Sequence, residues 1–287
     1  MTQHFPKQAP IRRINLEPAI GLGAGRALLL QLAHPAVAQG VEDHSEFKRN
    51  PFKRLQGTLE ATIGVVYGSK ELAEGIGRRL HFIHQFIVGA DYSANEPDLL
   101  MWVHATLLDT ALRCRETFVG PLDPDEAETY YQEMSQAAVH FGVALEDQPA
   151  TLADFREYMA TTMDSLQVSD VGKELIGFIL EPKLPFGAHV PFIPVLKFQK
   201  LVTLGSLPDS IRSQLPVRWG PREQARYDRV ERLVRTLFRA TPYVVRTGPT
   251  RLSIPFMVAL AQRQVDKFDT QQAARRAATN DQEAVAS

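Results

Sequence analysis

Three histidines are the residues of this sequence best placed to do chemistry, because each is predicted on the apolar face of a helix. They are His34, His84 and His104. Burying an imidazole costs free energy unless the ring is hydrogen-bonded or bound to a metal. A single inward histidine is usually a hydrogen-bonded core residue, but three of them within the first 104 residues favour a buried histidine site. Haem iron needs only one protein imidazole in an otherwise apolar pocket, so such a site could hold haem.

An arginine and a threonine lie four residues apart in the segment NPFKRLQGT. Asn50-Pro51 is a favourable helix start, with asparagine as the cap and proline in the first turn. In a helix over about 51–67, Arg54 and Thr58 lie side by side on one face. A fixed positive charge beside a hydroxyl suits a haem propionate or the polarisation of bound dioxygen. The residues alone therefore predict a buried histidine site, and no more than that.

Other metal or nucleotide sites have less support. His44 follows two acidic residues on a polar connector, where adjacent side chains diverge, so a solvated turn is favoured over a metal site. The glycines of GLGAG lack both the spacing and the preceding strand of a dinucleotide fingerprint. A carboxylate-bridged di-iron bundle needs Glu-x-x-His pairs, which the sequence does not contain.

The helix that leads to His34 meets a proline immediately after it. Apolar residues at spacings of three and four, from Ala27 to Val41, define one helix face that includes His34. Pro35 removes a backbone donor and clashes with the preceding turn. A kink at His34 and a helix end at Ala33 fit the pattern equally well.

Periodicity separates the two histidines of the segment RLHFIHQFIVG. In a helix over about 70–88, His84 falls within the apolar stripe, whereas His81 turns toward solvent or a seam. His104 lies on the apolar face of the longest helix, over about 96–119. These two helices, with the one over 51–67, must position the candidate site.

Composition narrows the classes of protein. The chain has 287 residues, 44% of them hydrophobic, and a net charge of −1, which gives no basic surface for nucleic acid. The single cysteine excludes an internal disulfide and a cysteine-based zinc site. No apolar run reaches the roughly 20 residues of a membrane span, and the N-terminus does not resemble a signal peptide. We expect a cytoplasmic protein.

The coarse pattern predicts an all-α fold, with a single globular domain of roughly ten helices around a buried haem-type pocket. Residues 1–17 are expected to be an extended segment, and residues 18–266 to form the helical domain. Residues 267–287 are polar and alanine-rich, which is typical of a frayed helix or a disordered tail. The oligomeric state stays open, and a homo-oligomer is compatible with the composition.

Several segments together resemble the MpaB-like oxygenases, a family that includes the latex-clearing rubber oxygenases. The matching segments are LLLQLAHPAVAQGVEDHS, NPFKRLQGT, RLHFIHQFIVG, DLLMWVHATLLDT, PLDPDEAETYYQEM and GSLPDSIR. The resemblance extends over about residues 15–240. It implies an all-α fold and a b-type haem whose iron is bound by a proximal histidine.

The resemblance also assigns roles to residues. His84 matches the proximal ligand, with His104 as the alternative axial ligand. Arg54 and Thr58 match an Arg-x-x-x-Thr pair near the haem, where they would anchor propionates or shape the distal face together with His34. Gly57 stands where rubber oxygenases have a lysine that can act as a distal ligand, so the distal side is expected to be open or filled by His34 or His44.

The resulting hypothesis is a haem b-dependent oxidoreductase of the oxygenase type. Its substrate would be an apolar, unsaturated small molecule, with dioxygen or peroxide on the open distal side and an electron donor that the sequence does not identify. Rubber is a doubtful substrate, because the catalytic carboxylate of the rubber oxygenases has no secure counterpart. One alternative is a non-catalytic protein that binds haem through two histidines, or binds an apolar ligand. Another is a helical partner protein without a cofactor.

Overall fold

The computed structural model describes residues 3–44, 51–181 and 189–286, and the side chains of 51–55, 189–192 and 280–286 lie outside that description. The described chain forms a single all-α domain with two isolated bridges and no strand. Its fifteen α-helices are α1 Pro10–Ile14, α2 Pro18–Leu22, α3 Ala24–Ala33, α4 Pro35–His44, α5 Pro51–Tyr67, α6 Lys70–His84, α7 Pro97–Cys114, α8 Pro124–Val139, α9 Leu152–Ser165, α10 Asp170–Leu180, α11 His189–Ser206, α12 Asp209–Arg212, α13 Pro221–Ala240, α14 Tyr243–Arg246 and α15 Gly248–Ala286. A π-helical turn, Arg115–Val119, continues α7, and a 3₁₀ turn lies at Leu145–Asp147.

Eleven of the fifteen helices have ten or more residues, which agrees with the roughly ten helices expected from the sequence. Four of the helices, α1, α2, α12 and α14, have only four or five residues. That is little more than one turn, too short for a 3.6-residue period to be visible in the sequence. Each of these four also has a proline at its cap or in its first turn, which is where the sequence signals a start.

Both ends of the described chain contain helices. The segment 1–17 is not extended throughout, because α1 begins at Pro10 and buries Ile11 and Ile14. At the other end, α15 continues as helix to Ala286, with Pro255 inside it. Helix α15 packs across α5 and α6, and a Cβ on Gly64 of α5 would lie 3.1 Å from Ala261 of α15. Within the polar tail, the ring of Phe268 lies 5.4 Å from that of Phe82 on α6, so tertiary contact reaches the first turn of the tail.

Helices α3 and α7 form an antiparallel pair at the centre of the domain. The indole nitrogen of Trp102 donates to the carbonyl oxygen of Leu30 at 3.2 Å. Near the other end of the pair, the Arg26 guanidinium donates to the Thr110 hydroxyl at 2.8 Å and lies 2.6 Å from the Asp109 carboxylate. These contacts fix the register of the two helices, so residues of α3 and α7 can be placed at common levels.

The break at Pro35 is a helix end. Helix α3 stops at Ala33, His34 adopts an extended backbone with ψ near 121°, and α4 begins at Pro35. Helix α6 ends at His84, short of the expected Val88. No helix of the described chain is both long enough and apolar enough to cross a membrane.

Candidate active site

An apolar cavity of about 650 Å³ lies between α2, α3, α5, α7 and the start of α15. Its volume is in the range of pockets for small molecules, roughly 300–1,000 Å³. Aliphatic side chains dominate the wall, among them Leu28, Ile63, Leu107 and Met257. The cavity forms because helices that are far apart in sequence converge here, with α15 closing one side.

Thr58 is the sequence-predicted site residue that lines this cavity. It is half-buried on α5, and its carbonyl oxygen accepts a hydrogen bond from the Thr62 hydroxyl at 2.9 Å. The Arg54 backbone lies one helical turn earlier on α5, but its side chain lies outside the described residues. The structure thus places one member of the predicted pair at the cavity.

The two histidines of α6 differ in exposure as their periodicity indicates, with His84 half-buried and His81 exposed. His84 does not belong to the cavity wall. Helices α5 and α6 run antiparallel, because a Cβ on Gly68 would lie 2.8 Å from Leu72 and a Cβ on Gly64, one turn earlier on α5, would lie 2.4 Å from Ile76, one turn later on α6. Continuing that register toward the C-terminus of α6 puts His84 at the level of the first turns of α5, where Arg54 lies.

His104 is the most deeply buried of the candidate histidines, with 4% of its surface exposed. Its Nε2 atom has no hydrogen-bond partner among the described residues. Burial alone lowers the pKa of His104 to about 4, so the ring is neutral near pH 7. His104 is one turn before Leu107 on α7, and Leu107 lines the cavity. A neutral imidazole with an unused nitrogen is suited to binding a metal.

His34 is half-buried at the break between α3 and α4. Its ring centroid is 6.5 Å from that of Trp102. Burial lowers the pKa of His34, although the nearby carboxylates of Asp98 and Glu96 oppose that shift. Its Nδ1 atom also has no partner within the described part of the chain. His34 therefore resembles His104 in chemistry, but it does not line the cavity.

His44 lies at the surface. Its Nε2 atom is 3.2 Å from the carbonyl oxygen of Val88, and its ring is 6.3 Å from that of Tyr92. The Tyr92 hydroxyl donates to Asp43 at 2.7 Å, so this group has its own surface contacts. The residues described by the structure include no cluster of three or more His, Cys, Asp or Glu that could hold a metal ion.

The structure adds residues that periodicity did not single out. Gln31 of α3 lines the cavity, and Pro249 and Met257 of α15 close it from the far end of the chain. Gln31 could have been found, because it is the one polar residue in the apolar run ALLLQLA. The residues of α15 carry no such signal, since their place depends on packing between distant segments.

A comparison with protein families identifies the class of the domain. Residues 11–236 match the model of the ER-bound oxygenase mpaB/B′/rubber oxygenase catalytic domain. The chain belongs to this family. It is an oxygenase-family domain, which agrees with the all-α fold. The matched range ends before α15, so the part of the cavity wall from Pro249 to Met257 lies beyond it.

Two mycobacterial proteins are similar to this oxygenase-family chain. Uncharacterized proteins of Mycobacterium bovis and of Mycobacterium tuberculosis are each 26% identical to it over 231 residues. The alignment covers 75% of this chain and 88% of each relative. No solved structure matches the chain at a significant level. The relatives add no information on substrate or cofactor.

Proposed function

We propose that this protein is a haem b-dependent oxygenase that acts on an apolar, unsaturated small molecule. The observation that carries the proposal is the cavity of about 650 Å³ with Thr58 in its wall, in a chain of the oxygenase family. The apolar walls match an apolar substrate, because burying apolar surface is the main favourable term in binding it.

The types of residue present are suited to binding a haem group. Haem binding requires a neutral imidazole in apolar surroundings, and two buried imidazole nitrogens, Nδ1 of His34 and Nε2 of His104, lack partners among the described residues. A bound haem would supply an iron centre that can bind dioxygen or peroxide. We propose His84 as the iron ligand, with His104 as the alternative.

The other candidate residues would support that group. Arg54 and Thr58 share a helix face, where a cation and a hydroxyl suit propionates or a polarised oxygen ligand. His34 is proposed for the distal side. His44 is the weaker distal candidate, because its ring has surface partners in Val88 and Tyr92. The substrate would lie against the aliphatic wall, which excludes water from it.

An absorption spectrum of the purified protein, supplied with hemin and then reduced, tests the cofactor. Wild type is expected to show a Soret band, and His84→Ala is expected to lose or shift it. His81→Ala is the matched control, because His81 is exposed on the same helix one turn earlier. Far-ultraviolet circular dichroism of each variant checks folding.

The outcomes separate the ligands. A spectrum changed by His104→Ala but not by His84→Ala moves the ligand to His104. A wild-type protein that gives no Soret band after hemin is supplied refutes the haem proposal. Oxygen uptake by the haem-loaded protein in the presence of an unsaturated apolar probe then tests catalysis.

A second candidate function is haem binding without catalysis. It is supported by the Nε2 atom of His104, which has no partner among the described residues and could serve as a second iron ligand. In that case His84 and His104 would both bind the iron, and no position would remain for dioxygen. This alternative predicts a low-spin, six-coordinate spectrum that is sensitive to both His84→Ala and His104→Ala, together with no oxygen uptake.

A further inference from the structure

Gln31 is the feature of the cavity that an apolar ligand alone does not explain. It lies on α3 in the cavity wall and is 5% exposed. Its side-chain amide forms no hydrogen bond with another residue of the described chain. Its polar atoms are not among the fully buried atoms that lack a partner, so the amide is accessible from the cavity. A ligand in the cavity could therefore form a hydrogen bond with Gln31, and such a bond contributes about 0.5–1.5 kcal/mol.

Three other polar groups around the cavity already have partners within the protein. The Thr62 hydroxyl donates to the Thr58 carbonyl oxygen at 2.9 Å, and the Tyr67 hydroxyl donates to the Arg12 carbonyl oxygen at 2.8 Å. The Asn15 amide likewise donates to a backbone carbonyl oxygen at 2.8 Å. The amide of Gln31 therefore differs from these groups in being available.

The charges near the cavity restrict the ligand further. Glu17 lines the cavity, but its carboxylate is paired with both Nε and Nη2 of Arg246, at 2.8 and 2.7 Å. Among the residues with described side chains, the wall contains no lysine, arginine or histidine, and Arg54 is proposed to bind the haem propionates and not the substrate. A carboxylate or phosphate on the substrate would then be buried without a cation of its own, which is costly. The polar group that fits is neutral.

We propose that the substrate of this site is an apolar molecule with one neutral hydrogen-bonding group, a carbonyl or hydroxyl, which binds the Gln31 amide. A primary amide both donates and accepts, so it matches either group. The inference rests on the proposed function, since it takes the cavity as the substrate site. It distinguishes the substrate from an unsubstituted hydrocarbon, which would leave the amide unpaired.

The test uses two probes that differ in one group: undecenone, an unsaturated ketone, and undecene, its hydrocarbon counterpart. Isothermal titration calorimetry gives the ratio of their dissociation constants for each variant of the protein as purified. Comparing this ratio between variants cancels the difference in hydration of the probes. In Gln31→Leu, the preference for the ketone is expected to fall by about five- to tenfold, the size of one lost hydrogen bond.

Thr62→Val is the matched control. It also removes a polar group from the cavity wall, but that hydroxyl is already bonded to the backbone of its own helix. Its ratio is expected to equal that of wild type. A ratio that changes equally in both variants would overturn the role of Gln31.

Thermal unfolding without ligand is a second measurement, and it distinguishes a ligand-binding role of Gln31 from a structural one. If Gln31 is kept for a ligand, Gln31→Leu replaces an unpaired amide with an apolar side chain and raises the melting temperature. A lower melting temperature would mean that the amide stabilises the protein itself, which overturns the proposal.

Failure of this inference can be told apart from failure of the proposed function. Equal ratios in wild type and Gln31→Leu refute the polar subsite but leave an apolar substrate in place. No binding of either probe to wild type refutes both. Loss of the haem spectrum with an intact ketone preference refutes haem dependence alone.

Discussion

Breaking the buried ion pair between Glu17 and Arg246 should destabilise the protein strongly. Glu17 precedes α2, Arg246 ends α14, and their side chains are 3% and 15% exposed. The guanidinium binds both carboxylate oxygens and also donates to the carbonyl oxygens of Phe238 and Thr241 at 3.2 and 2.9 Å. These bonds to Glu17 raise the pKa of Arg246. One side chain thus joins the start of the domain to its C-terminal third.

Arg246→Met keeps the aliphatic stem but removes the charge and the donors. It leaves the buried Glu17 carboxylate unpaired, and removing one partner of a buried pair costs about 3–5 kcal/mol. For a domain of this size, that corresponds to a fall in melting temperature of roughly 5–8 °C. Arg229→Met, a control at an exposed position on α13, should change stability by no more than about 0.5 kcal/mol.

A double-mutant cycle measured by urea denaturation separates the charge from the packing. Adding Glu17→Gln to Arg246→Met removes the unpaired charge, so the double variant should recover at least about 1 kcal/mol relative to Arg246→Met. If the two single effects simply add, the pair is not coupled. If Arg246→Met costs less than about 1 kcal/mol, the argument from burial is wrong.

Two further predictions concern helix glycines and a histidine pair. Gly57→Ala should stabilise the protein by about 0.5–1 kcal/mol, since a Cβ there meets no atom within 4 Å. Gly75→Ala should destabilise it by about 1–3 kcal/mol, because its Cβ would lie 2.5 Å from Val265. Urea denaturation measures the free energy of unfolding of both variants. The Nε2 atoms of His4 and His140 are 3.1 Å apart, and burial lowers the pKa of both rings. The unfolded chain therefore takes up protons first as the pH falls below about 6.5, so stability is retained above that pH and lost below it. In melting curves between pH 7 and 5, His140→Gln should show a weaker pH dependence than wild type.

The all-α class and the main helices could be predicted from the sequence because their signals are local. Asn50-Pro51 marks the start of α5, which the structure places at Pro51–Tyr67. Periodicity alone separates His81 from His84, which differ in exposure as expected. The family resemblance is confirmed by the match over residues 11–236. The haem, its ligands and the domain boundaries stay predictions.

The cavity could not be predicted, because periodicity shows which face of a helix is apolar but not which helix will cover it. Met257 lies on α15, and its contact with the cavity follows from the packing of α15 on α5. The short helix α2 contributes Pro18 and Ile20 to the same wall, although it has no readable period. Distant packing, rather than local propensity, decides the shape of the site.

The register of α3 and α7 explains why the two unpartnered polar groups near the cavity belong to the same end of it. The bond from Trp102 to Leu30 places Gln31 and His104 at a common level, while Arg26 and Thr110 mark the opposite level. At the Arg26 level, the guanidinium donates to the Thr110 hydroxyl and forms an ion pair with Asp109. At the Gln31 level, an amide and an imidazole nitrogen lack partners among the described residues. An apolar ligand would therefore orient its single polar group toward Gln31 and direct its hydrocarbon part toward the aliphatic residues of α5 and α15.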